Sequence, residues 1–88
     1  MNETQSKMHA RLAALDPMSL EIIDESHKHA GHAGARDGGG HYLLDIVSEQ
    51  FSGKKTVARH RMIYSALGEL MKREIHALTI RAHTPDEY

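Results

Sequence analysis

Residues 56–82, TVARHRMIYSALGELMKREIHALTIRA, contain the change of period that decides the fold. In the first part Ile63, Ala66, Leu67, Leu70 and Met71 recur at i, i+3 and i+4, the stripe of an amphipathic helix, with Thr56 placed to cap it. From Ile75 the pattern alternates strictly. His76, Leu78, Ile80 and Ala82 share one face, and Ala77, Thr79 and Arg81 share the other, which is the signature of a strand. His76 then has the parity of the apolar residues and is expected at the rim of the core face.

Upstream of the helix, Phe51-Ser52-Gly53 reads as a turn. His41 to Ser48 (HYLLDIVS) reads as a strand with Tyr42, Leu44 and Ile46 on one face. Leu20 to Ser26 (LEIIDES) is a further strand, and residues 5–15 form a short helix through Met8, Leu12 and Leu15, stopped by Asp16-Pro17. Residues 27–40, HKHAGHAGARDGGG, hold five Gly and three His without periodicity and form a long loop. The order is therefore α-β-β-α-β. Two strands joined by a loop make an antiparallel pair, and a strand–helix–strand connection leads to a parallel neighbour. The expected fold is α+β, a three-stranded mixed sheet with both helices on one face and the other face at least partly wet. Eighty-eight residues allow one domain, 1–88, with residues 1–5 expected to be loose.

Composition narrows the function. Hydrophobic residues make up 40% and charged residues 26%, as in an ordinary globular chain. No apolar run approaches the roughly 20 residues that span a bilayer. MNETQSKMHA has no apolar signal core, so the expected compartment is the cytoplasm. Cys is absent and His occurs eight times, so any metal bound by this chain depends largely on imidazole. No phosphate-binding Gly motif or nucleophile elbow is present. Asp24 and Glu25 occupy adjacent strand positions that point to opposite faces, so they cannot share an acid–base task. An enzyme is not expected.

Three constellations remain. His27, His29 and His32 lie within six residues, with His41 closing the loop; their plain reading is a solvated segment with weak metal affinity. His76 opens the last strand, where the plain reading is a hydrogen-bonded edge histidine. The third is electrostatic. Residues 1–52 carry four basic and eight acidic side chains, residues 53–88 seven basic and four acidic. Lys54, Lys55, Arg59, Arg61, Lys72 and Arg73 are accompanied by Glu69 alone within 54–73. Lys54, Arg61, Ser65 and Lys72 fall opposite Ile63 and Leu67, forming a basic outward stripe suited to phosphates or to an acidic protein surface. Such a stripe is also commonly just a solvated helix face.

Taken together, Phe51-Ser52-Gly53-Lys54, Arg59-His60-Arg61-Met62-Ile63-Tyr64, Ile75-His76-Ala77-Leu78 and Thr84-Pro85 resemble the BolA family over about residues 7–88. The resemblance implies an arrangement related to type II KH domains, without their Gly-x-x-Gly clamp. It implies a heterodimer with a monothiol glutaredoxin that shares a 2Fe–2S cluster. Glutaredoxin and glutathione hold one iron and the BolA-like chain ligates the other, so the isolated chain holds no cofactor. The ligands that carry over are His76 and a loop histidine, His29 by position, with His32 and His27 as alternatives. The resemblance also implies a second role, a transcriptional regulator of stress response and cell shape that binds duplex DNA through Lys54, Lys55, Arg59, Arg61 and Lys72. A helper module with neither metal nor DNA is the third class.

Overall fold

The computed structural model describes residues 1–26 and 40–88. Helix α1 spans Glu3–Leu12, strand β1 Ser19–Asp24, strand β2 Gly40–Val47, helix α2 Thr56–Leu67 and strand β3 Ile75–His83. The sheet order is β1-β2-β3, with β1 antiparallel and β3 parallel to β2. The order and strand directions are those expected.

One sheet face and both helices enclose the core. Ile22, Tyr42, Leu44 and Ile46 meet Met8 and Leu12 of α1 and Ile63 and Leu67 of α2, with Phe51 and Leu70 also buried. Glu21, Ile23, Thr79 and Arg81 on the opposite sheet face are exposed. Alternation thus separates the core face of β1 and β3 from an exposed one, while the second face of β2 is half-buried and closes at the buried Val47. Ser48 ties the end of β2 to the turn after α1: its buried hydroxyl donates to the Leu15 carbonyl at 2.6 Å and accepts the Gln50 N–H at 3.1 Å.

Several local expectations are corrected. Residues 3–5 are helical, because Asn2 closes a capping box: its side chain accepts the Gln5 N–H at 2.7 Å, and Gln5 Oε1 accepts the Asn2 N–H at 2.8 Å. Lys55, not Thr56, occupies the N-cap of α2, in extended conformation and without a side-chain cap. The helical stripe expected to run to Met71 ends earlier. Gly68, at φ 56°, stops α2, and a 3-10 turn over Gly68–Lys72 continues the same apolar face. Only glycine enters that conformation at little cost. Leu70 still reaches the core, while Met71 is half-buried.

Candidate functional site

The two ends of β3 are held in different ways, and the difference locates the candidate site. Gly40 pairs with Ile75, but His41 pairs with Ala77, so the register shifts by one residue and leaves His76 as the extra one. A bulge of this kind turns side chains relative to the regular alternation. Ile75 takes the core position and is 2% exposed. His76 is released from the core parity that regular alternation assigned to it and is exposed. The expectation of a histidine at the rim of the apolar face is corrected by that extra residue. Its imidazole stands beside His41, with ring centres 5.1 Å apart.

His41 sits on firmly bonded backbone. Its N–H donates to Ser26 Oγ at 3.1 Å, and its carbonyl accepts the Glu25 N–H at 2.8 Å. The preceding Gly40 donates its N–H to the Glu74 carbonyl at 3.0 Å. A Cβ at Gly40 would lie 2.5 Å from the Tyr42 ring, so glycine is what lets β2 pass here. The sequence marked His41 as the end of a loop and the start of a strand. Its proximity to His76 depends on the register of β2 against β3, for which no local signal exists. His27, His29 and His32 lie outside the described residues.

At the opposite end Arg59 is consumed by the fold. Its guanidinium makes a two-point ion pair with Glu87, at 2.6 and 2.9 Å. It also donates to the carbonyls of Lys54 at 2.8 Å and Ala82 at 3.1 Å, and stands 6.0 Å from the centre of the Phe51 ring. The hydrogen bonds from Arg59 are the main reason the Glu87 carboxyl is pulled from 4.5 to about 2, followed by the Thr84 N–H. Glu87 raises the Arg59 guanidinium in turn. Arg59 is therefore separated from the basic stripe. Lys54, Lys55, Arg61 and Lys72 remain exposed, Lys54 and Lys55 before α2, Arg61 on it and Lys72 in the turn that follows. Lys72 also borders a groove of mixed charge between α1 and that turn, lined by Lys7, Arg11, Arg73, Glu69 and Glu74. Among the described residues no group of three or more His, Asp or Glu converges as a metal site, and no helix is long and apolar enough to cross a membrane.

Comparison with known proteins identifies the fold and the family. The BolA domain of SufE1 from Arabidopsis thaliana superposes with a TM-score of 0.86 at 41% identity, covering 100% of this chain and 99% of that one. The solution structure of BolA1 from Mus musculus gives 0.82 at 35% identity, covering 99% and 69%. In sequence, the SufE-like protein 1, chloroplastic/mitochondrial, of Arabidopsis thaliana is 50% identical over 83% of this chain, which spans only 21% of that protein. The DNA-binding transcriptional regulator BolA of Escherichia coli is 40% identical, over 86% of this chain and 70% of its own length. The family model for BolA-like proteins matches residues 12–87, so the chain belongs to the BolA family.

Proposed function

We propose that this chain is a binding partner, not a catalyst, and that it shares a 2Fe–2S cluster with a monothiol glutaredoxin for cluster transfer or iron regulation. The observation that carries the reading is His76: an exposed imidazole on a bulge whose neighbours Ile75 and Leu78 pack into or against the core. A nitrogen donor so placed is pre-positioned at the surface, where a second protein reaches it. His76 gives one ligand and a loop histidine, His29 first with His32 and His27 as alternatives, gives the other. The donor chemistry suits the group. Two neutral imidazoles opposite thiolates give a less negative cluster than all-thiolate ligation and raise its reduction potential. Imidazole binds a metal only in its neutral form, so cluster retention is expected to be sensitive to acid.

The test is reconstitution of the chain with a monothiol glutaredoxin, iron, sulfide and glutathione. A coloured heterodimer whose visible circular dichroism differs from that of the glutaredoxin homodimer is the expected result. His76→Ala is expected to alter that spectrum more severely than His29→Ala. The His27/His29/His32 triple substitution is expected to approach the His76 effect. A wild-type spectrum in His76→Ala, with loss on a single loop change, makes His76 a structural edge residue and overturns the assignment.

A second reading is favoured by the Escherichia coli relative, whose name describes a DNA-binding transcriptional regulator. In it the exposed Lys54, Lys55, Arg61 and Lys72 neutralise phosphates, while Arg59 stays with Glu87. Charge alone provides affinity without sequence choice. Binding to duplex DNA that falls with salt and also discriminates between sequences supports this role; salt dependence alone does not.

A further inference from the structure

His41 on β2 and His76 on the bulge of β3 bring two imidazoles to a ring separation of 5.1 Å with planes inclined at 42°. The backbone around both is held. His41 is bonded to Ser26 and Glu25, Gly40 to Glu74, and Ile75 is anchored in the core. An ion about 2.0–2.1 Å from each ligating nitrogen lies about 3.2 Å from each ring centre, and a near-tetrahedral angle then sets the centres about 5 Å apart. The observed ring spacing of 5.1 Å matches that distance.

We propose that His41 and His76 form a two-imidazole site for one divalent transition-metal ion of the zinc type, bound by this chain without a partner. Imidazole suits such ions, and the remaining coordination positions are left to water or to a donor from another molecule. A consequence rests on the shared-cluster reading above: an ion held at His76 withholds that nitrogen, so free zinc opposes cluster assembly with glutaredoxin.

The probe is Zn2+ alone, titrated into the full chain above the imidazole titration range, with each histidine followed through its ring 15N shifts. Saturable shifts of His41 and His76 with one midpoint are expected, at one ion per chain. His41→Gln and His76→Gln are each expected to weaken binding at least tenfold. The His27/His29/His32 triple change to Gln is expected to leave it within threefold. Shifts confined to the loop histidines, a His76 shift without His41, or no saturable binding overturn the site. The wild-type ring shifts decide the matter even where a variant does not fold. Zinc that binds the pair yet leaves assembly with glutaredoxin unchanged overturns the competition. Failure to assemble a cluster without zinc overturns the shared-cluster reading, and the ion titration still stands.

Discussion

At its C-terminal end β3 runs into a closed corner. The Ser48 N–H donates to the His83 carbonyl at 2.9 Å, Thr84 is buried, and Arg59 joins α2 to Ala82 and Glu87 over the Phe51 ring. At its N-terminal end the same strand breaks register, buries Ile75 and leaves His76 in the open beside His41. Both ends carry charged or titratable groups of similar prominence in the sequence. One end uses them to finish the fold, and the other sets His76 at the surface. A cation or imidazole is thus informative about function only after the partners that the fold supplies have been subtracted.

The largest effect expected from this contrast lies in the closed corner. Phe51 is fully buried, and Phe51→Ala removes its ring from the core, which costs roughly 3–5 kcal/mol. Chemical denaturation is the measurement, and a cost under about 1 kcal/mol would show that the corner is not packed as described. The next effect lies at the open end but in its backbone. Gly40→Ala pushes a methyl group into the ring of Tyr42, a residue 5% exposed whose hydroxyl accepts a hydrogen bond from the Asn2 side-chain amide at 3.3 Å. Overpacking of this kind costs about 1–3 kcal/mol, and it is expected to disturb the His41–His76 spacing as well.

Acid separates the two ends more finely. Glu87 has its folded carboxyl lowered from 4.5 to about 2, so the stability it contributes is complete above the ordinary carboxylate range. That contribution declines as pH falls below about 4.5 and is lost as pH passes through about 2. Wild type is therefore expected to exceed Glu87→Gln in stability at neutral pH, with the gap closing across that window. A gap that is constant with pH would mean that the pair with Arg59 does not hold in solution.

The smallest effects on folding belong to the groups assigned to function. His76→Ala and Arg61→Glu alter exposed side chains and are expected to change stability by no more than about 0.5 kcal/mol. Each is expected to weaken association instead, His76→Ala with the cluster partner and Arg61→Glu with glutaredoxin or DNA. Unfolding by Arg61→Glu would place that helix face inward and remove the distinction between Arg61 and Arg59.

Much of this was legible from the residues alone. The element order, the core faces of β2 and α2, the exposure of Lys54, Lys55, Arg61 and Lys72, and the motifs shared with the BolA family all follow from local patterns. Burial is written into hydrophobic period, because a side chain's direction is set by its own backbone conformation. Tertiary structure decided the rest. Whether Ile75 or His76 faces the core depended on an extra residue in the pairing of two strands, and alternation within β3 carries no mark of it. Arg59 and Arg61 are two residues apart and alike in charge, but only Arg59 meets Glu87, Ala82 and Phe51. His41 became the neighbour of His76 through the register of β2 against β3. Register and cross-strand neighbours are properties of two distant segments at once, and a single segment specifies neither.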